Sequence, residues 1–486
     1  MQKSIKKNFI MNAILTMSSM IFPLITFPYV SRILLPLGTG KVAFATSVVT
    51  YFSMFSQLGI PTYGIRACAQ VRDDKEELSR TVQELFLINF FIMIIAYIAL
   101  FIAIQNVPRL RSDKTLFLVI STLIFFNAIG MEWLFKALEE YTYITVRSII
   151  FKIISVGAMF LLVRKQEDYV IYGAISIFAS SASNVFNFFY ARRYVSLKLK
   201  SRYNFRRHLQ PVMIFFAMSC ATTIYTNLDT AMLGFMKSDE DVGYYNAATK
   251  IKTILVNIIT SLGTVLLPRA SYYVEQGLKD DFEKISRKAI NCVCVASIPM
   301  VIYFTIFSKE AVYFLSGTAY DGSVLSMQLL MPTILFIGLT NVMGIQIMVP
   351  LNREKWVLYS VILGAVVDLI INVLLIPSMA SAGAAIGTML AEAAVLIYQY
   401  AKMKKLMNNL FEDIHWSPVI CGTVIATIAV IGIKIVTMRI FVKLIISASI
   451  FFGIYGLILI AMKEPIVTEV KEQFFSKIKS SNMGTR

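Results

Sequence analysis

Histidine is nearly absent from this sequence: His208 and His415 are the two in 486 residues, and both fall in loops expected to be cytoplasmic. A hydrolase or metalloenzyme built on histidine therefore has little to draw on. The five cysteines, Cys68, Cys220, Cys292, Cys294 and Cys421, lie in apolar segments or at their inner ends, where no oxidant favours pairing. A single Cys-x-Cys is too little for a metal site, so neither a metal nor any other cofactor is implied. Acids are scarce as well. Residues 1–72 contain no aspartate or glutamate, and the chain has 29 acids against 46 lysines and arginines, a formal charge of +17. No Walker-type phosphate loop occurs, which removes nucleotide hydrolysis as an energy source.

Apolar residues are what the chain has in excess. With 57% hydrophobic and 15% charged residues and a mean hydropathy of +0.69, it carries more apolar surface than a soluble domain can bury. Runs of about 20 residues, enough to cross a hydrocarbon core of about 30 Å, fall near 8–31, 41–60, 83–105, 115–135, 145–163, 169–190 and 211–234. Seven more fall near 242–264, 289–308, 325–349, 356–376, 381–401, 417–437 and 440–462. The fold class predicted is an all-α polytopic membrane protein of about fourteen transmembrane helices.

Placing both termini in the cytoplasm leaves 31 lysines and arginines in inner segments and 11 in outer ones, the distribution that the positive-inside rule requires. The net charge is then a topology signal and calls for no nucleic-acid partner. The N-terminal stretch MQKSIKKNFIMNAILTMSSMIFPLITFPYVSRIL has a basic start and an apolar run but no short core ending in a small-residue cleavage site. It is expected to remain as the first span rather than to be removed as a signal peptide.

A weak internal repeat runs at a constant offset of 203: Gly40 matches Gly243, Ala45 matches Ala248, Thr46 matches Thr249, Thr50 matches Thr253, Arg66 matches Arg269, Ala67 matches Ala270 and Val71 matches Val274. It pairs the second span with the eighth. An offset of six helices returns the chain to the same side, so the two copies are expected to run parallel. The organisation predicted is an N-terminal lobe and linker (1–200, helices 1–6), a C-terminal lobe (201–410, helices 7–12) and an appended pair with a cytoplasmic tail (411–486), the two lobes being pseudo-symmetric around a central cavity. The basic loop 191–210, closed by Pro211, is the natural linker.

Four spans carry polar stripes at three- and four-residue steps, each on one helical face. They are Asn12, Thr16, Ser19, Pro23 and Thr26; Thr46, Thr50, Ser53 and Gln57; Ser219, Thr223, Thr226 and Thr230; and Asn246, Thr249, Thr253, Asn257 and Ser261. Hydroxyls and small residues also serve close helix packing. Four stripes at repeat-related places favour a shared cavity. The last is interrupted by Lys250 and Lys252, and an ammonium at mid-bilayer costs from about 2.5 to more than 10 kcal/mol without compensation.

The segments GTGKVAFATSVVTYFSMFSQLGIPTYGIR (38–66), EWLFKALEEYTYITVRSIIFK (132–152), NLDTAMLGF with GYYNAATKIK and LLPRAS (within 227–271), and LGAVVDLIINVLLIPSMASAGAAIGTMLAE (363–392) resemble the signatures of Wzx-type oligosaccharide flippases. These are polysaccharide biosynthesis proteins of the superfamily that also holds MATE multidrug exporters and the lipid II flippase. The resemblance implies a protein of the bacterial inner membrane that moves undecaprenyl-pyrophosphate-linked repeat units of O-antigen or capsule from the cytoplasmic to the outer leaflet by alternating access. Polysaccharide polymerase and export proteins are the partners it suggests. Its two lobes around a central cavity agree with the repeat and the stripes.

Such cargo requires a cationic, hydroxyl-rich path, and this requirement selects the candidate residues. Lys250 shares the face of Asn257, while Lys252 stands about 200° round the helix, so one of the two has a structural role. Arg66 and Arg269, repeat-related at the inner ends of their helices, are candidates for the pyrophosphate, since a guanidinium holds phosphate oxygens bidentately. Lys152, Arg32 and Lys41 are further candidates. Asp229, Asp368 and Glu392 in apolar helices are candidates for ion pairing or for ion coupling. Asp229 keeps open a MATE-like, ion-coupled multidrug exporter. A membrane enzyme such as a polysaccharide polymerase would need a larger extramembrane domain than the longest outer loop, 309–324, provides. The acidic doublets Asp73-Asp74 and Asp280-Asp281 read as solvated loop residues, so the chain is read as a transporter and not as an enzyme.

Overall fold

The computed structural model describes residues 5–196, 203–264, 267–412 and 414–468, and contains no strand among them. These residues form two compact units, 1–246 and 247–486, with the boundary inside one helix.

The first unit opens with α1 (Ile5–Gln57), whose 53 residues would extend about 80 Å if straight. Leu35, at φ 56°, breaks it, and each limb is then of membrane-spanning length. The outer loop expected between residues 31 and 41 is replaced by this single non-helical residue followed by Pro36. Then come α2 (Ile60–Gln70), α3 (Lys75–Asn106), α4 (Pro108–Arg111), α5 (Lys114–Gly130), α6 (Glu132–Ala137), α7 (Tyr141–Leu162), α8 (Tyr169–Ile177), a π-helical turn, α9 (Asn184–Ala191), α10 (Arg206–Met236) and the first turns of α11 (Asp239–Thr264). Asp74 starts α3: its carboxylate accepts from the amides of Glu76 and Glu77 at 2.8 and 3.1 Å. That is a capping role rather than the solvated one expected. One core joins Ile60, Leu78, Leu85, Trp133, Phe135, Ile144 and Val212 across α2, α3, α6, α7 and α10. A second joins Val30 and Leu34 to Met159, Val163 and Ile175.

The second unit holds the rest of α11, then α12 (Leu267–Glu275), α13 (Lys279–Ile306), α14 (Ser308–Ser316), α15 (Ser323–Leu330), α16 (Pro332–Asn341), a π-helical turn, α17 (Glu354–Lys402), α18 (Lys404–Glu412), α19 (Trp416–Ile431) and α20 (Ile440–Ala461). Ala380, at φ 48°, breaks α17. The limbs on either side fold onto each other, because Gln399 donates to the Ser360 hydroxyl at 3.0 Å, nearly equidistant from the break. Tyr303 on α13 and Phe307 just past its end pack with Phe451 and Tyr455 on α20 and Val419 on α19, so the last two helices rest on α13.

Ten segments among the described residues are long and apolar enough to cross a membrane. Fourteen crossings require that α1 and α17 each cross twice and that α5, with 17 residues, and the more polar α11 cross as well.

Candidate functional site

Helix α11 begins with three acids, Asp239, Glu240 and Asp241, which suit the positive end of a helix dipole. It then presents Asn246, Thr249, Lys250, Thr253 and Asn257 along one face. The Thr253 hydroxyl bonds back to the Thr249 carbonyl at 2.7 Å. Lys250 lies eleven residues into the helix, about 16 Å along its axis. Lys250, Lys252 and Asn257 are all half-buried, and neither lysine has a carboxylate partner among the described residues. Lys250 is therefore a half-buried lysine on a polar helical face, with no acid paired to it among the described residues.

Asp229 on α10 is buried at 8% exposure and accepts a hydrogen bond from the Tyr245 hydroxyl on α11. This phenol comes from the helix that carries Lys250. Asp368 and Asn372 are buried on the first limb of α17 and Glu392 on the second. The limbs meet closely beside them: a β-carbon on Gly387 would stand 2.3 Å from Asn372 Oδ1 and 3.0 Å from Asp368 Oδ1.

The remaining candidates are held by separate partners. Lys152 Nζ donates to the Ser18 and Ser19 hydroxyls at 2.9 and 2.7 Å, joining α7 to the polar stripe of α1. Arg32 is exposed and donates to the Pro28 carbonyl. Lys41 pairs with Asp113 at 2.8 Å and lies 4.7 Å from the Tyr169 ring, with the Tyr169 hydroxyl on the same carboxylate oxygen at 3.0 Å; its charge is compensated within the protein. Arg66 on α2 and Arg269 on α12 are both exposed, each on a short helix that follows a long one, at equivalent places of the repeat.

Two polar clusters escaped the sequence reading. At one end of the first unit Arg109 pairs with Asp239, donates to the Gly234 carbonyl at 2.7 Å and lies 4.8 Å from the Phe44 ring. At the other end Glu84, with no exposed side-chain surface, binds Arg207 at 2.6 Å and His208 at 2.7 Å and accepts from the Asn204 amide at 2.6 Å. The other ring nitrogen of His208, Nδ1, lies 2.8 Å from the Tyr63 hydroxyl, so both nitrogens of the ring are hydrogen-bonded. His208 is thus a buried residue of α10, not a loop residue, and Pro211 lies inside that helix instead of closing the linker. The one signal available was an acid, Glu84, at the head of an apolar run.

These pairs sort by side. Arg72 to Glu139 and Arg207 to Glu77 join segments expected on the inner face. Lys41 to Asp113, Arg109 to Asp239 and, in the second unit, Lys443 to Glu310 join segments expected on the outer face.

Comparison with known proteins follows the same lines. A family model described as polysaccharide biosynthesis protein matches residues 5–274, and one described as MatE matches residues 215–374. The chain is 24% identical over 409 residues to a putative O-antigen transporter of Escherichia coli (strain K12), covering 83% of this chain and 98% of that protein. Its fold is similar to a lipid II flippase MurJ in an inward closed conformation, with a TM-score of 0.74 and 15% identity over 94% of this chain and 100% of the other. It is also similar to an inward-facing MATE family multidrug resistance transporter, with a TM-score of 0.63 and 12% identity over 82% and 99%.

Proposed function

The chain belongs to the polysaccharide biosynthesis protein family, and from that premise we propose that it is a lipid-linked oligosaccharide flippase, a transporter and not an enzyme. The cargo is an oligosaccharide on undecaprenyl pyrophosphate, carried from the cytoplasmic to the outer leaflet of a bacterial inner membrane, with both termini cytoplasmic. The observation that carries this reading is Lys250, a half-buried ammonium on a hydroxyl-lined helical face with no carboxylate partner among the described residues. A structural lysine in such a place would be paired; one that awaits an anion in transit is left open.

In this scheme the two repeat copies, residues 1–200 and 201–410, move as lobes in alternating access, with 411–486 appended. Lys250 and Asn257 contact the diphosphate and sugar in mid-membrane. Arg66 and Arg269, exposed on equivalent short helices, receive the diphosphate at the inner mouth. Lys152 contributes through the α1 stripe, and Arg32 at the outer mouth. Lys41, already neutralised by Asp113, and Lys252, on another face, serve structure. Polysaccharide polymerase and export proteins are the partners that follow from this cargo.

Deleting the gene tests the reading. Lipid-linked repeat units should accumulate in the inner leaflet while their synthesis continues, and surface polysaccharide should be lost. Normal polysaccharide in a strain without a redundant flippase would overturn it. The MatE match over 215–374 and the buried carboxylates Asp229 and Asp368 favour a second reading, an ion-coupled multidrug exporter. That reading predicts drug hypersensitivity on deletion with polysaccharide unchanged.

A further inference from the structure

Helices α7 and α9 enclose a cleft of about 910 Å³ in the first unit. Its walls are Tyr143, Val146, Ile150, Phe186, Phe189 and Tyr190, and Val146, Ile150, Phe186 and Phe189 are 49 to 58% exposed. Both helices belong to segments long and apolar enough to span a membrane, and the exposed apolar walls suit contact with lipid chains. The cleft is separate from the transport candidates. Thr145 and Lys152 bond to α1, whereas Val146 and Ile150 point about 100–160° away around α7.

The charge lies at one end. The Tyr143 and Tyr190 rings stack at 4.3 Å, which brings the start of α7 beside the end of α9. Immediately past that end stand Arg192 and Arg193, both exposed, their guanidinium carbons 5.7 Å from the Phe189 ring and 6.0 Å from the Tyr190 ring. Neither has a carboxylate partner among the described residues. The nearby acids are already engaged. Glu140 accepts from the Tyr194 hydroxyl, a phenol whose pKa is pushed up by burial and then by that carboxylate, so it keeps its proton and remains a donor. Glu132 pairs with Lys136 at 2.8 Å and with Arg147 at 3.4 Å. Arg147, 7% exposed at the cleft floor, is bound by Asn184 and Asn187 as well. Among the described residues no carboxylate takes the rim arginines, and both are exposed to an anion from outside the chain.

We propose that this cleft is a binding site for an anionic phospholipid of the surrounding bilayer, with its acyl chain between α7 and α9 and its phosphate on Arg192 and Arg193. A basic rim beside an apolar gap between transmembrane helices is the arrangement that retains acidic lipid headgroups on the cytoplasmic side. A free phosphate makes no use of the apolar walls, and a zwitterionic lipid makes little use of the two cations. The proposal is independent of which lipid-linked sugar, if any, the protein carries.

The test uses the purified full-length protein in phosphatidylcholine nanodiscs, titrated with phosphatidylglycerol and read by thermal unfolding and by native mass spectrometry of retained lipid. Wild type should rise in melting temperature with phosphatidylglycerol and retain it on release from the disc. Arg192→Gln and Arg193→Gln should each weaken retention about fivefold, and the pair should weaken it about 30-fold. Ile150→Trp, which fills the cleft from an exposed position and leaves the charges in place, should also lose the lipid. Arg164→Gln with Lys165→Gln, at the other end of α7, should retain it. The proposal is overturned if the arginine pair or Ile150→Trp retains phosphatidylglycerol as wild type does. An equal shift with added phosphatidylcholine or with inorganic phosphate alone would overturn it too.

Discussion

Gly40 and Gly243, equivalent positions of the internal repeat, meet backbone to backbone. A β-carbon on Gly40 would stand 2.8 Å from the Gly243 nitrogen and 1.7 Å from the Asp239 carbonyl oxygen, and one on Gly243 would stand 2.1 Å from the Pro36 carbonyl oxygen. The neighbours on both sides are main chain and cannot rotate away. The repeat therefore preserves glycine at both copies for one reason, the crossing of α1 and α11.

Gly40→Ala and Gly243→Ala should each cost about 1–3 kcal/mol through overpacking. The measurement is the melting temperature in detergent beside Gly157→Ala and Gly453→Ala, whose β-carbons would meet nothing within 4 Å. Those controls should be neutral or stabilised by up to about 1 kcal/mol of helix propensity. Equal effects at all four positions would remove the crossing argument.

Arg109 and Asp239, 27 and 10% exposed, should behave as a coupled pair. Arg109→Asp and Asp239→Arg each leave like charges together, and the double exchange should recover part of the lost stability. A coupling of about 1 kcal/mol or more in a double-mutant cycle is expected. Additive losses would show that the two act independently.

Glu84 is fully buried against Arg207 and His208. Glu84→Ala should lower stability on the order of 3 kcal/mol, because it strands the buried His208 and leaves Arg207 with Glu77 as its remaining carboxylate among the described residues. The value sits at the low end for a buried pair because Arg207 is 31% exposed. Unchanged membrane abundance and unfolding temperature would contradict this.

Lys250 separates a transport role from a folding role. If it attracts a travelling diphosphate, Lys250→Gln should keep normal abundance and cut transport, Lys250→Glu should abolish transport, and Lys250→Arg should retain part. If it serves folding alone, Lys250→Met should be tolerated or stabilising, because an expensive charge has gone. Complementation of a flippase-deficient strain, measured beside protein level, decides, and full activity of the glutamate variant takes Lys250 off the path.

Topology follows from the charge bias of 31 against 11. A reporter fused after Lys200 should lie in the cytoplasm and one fused after Gly317 on the outer side. The same side for both would show that a span between them has been miscounted.

Much of the architecture was legible in the sequence because lipid reads hydropathy linearly: an apolar run of sufficient length becomes a helix wherever it lies in the chain. The repeat was legible for a similar reason, since Arg66 and Arg269 keep one spacing from their glycines. Loop boundaries were less so. The turn at Leu35 and the one at Ala380 each take a single residue, too short for composition to mark, and Pro211 reads as a breaker although α10 passes through it.

The sequence by itself determined the class of molecule, its expected charge asymmetry and the presence of costly lysines in its spans, because these depend on residue type and order alone. Only the tertiary structure decided which charges are neutralised. Lys41 finds Asp113 and Glu84 finds Arg207 and His208 across 72, 123 and 124 residues of chain, whereas Lys250 finds no acid among the described residues. Charge compensation acts over a few ångströms in space, and spatial neighbours are set by how helices pack and not by their separation in sequence.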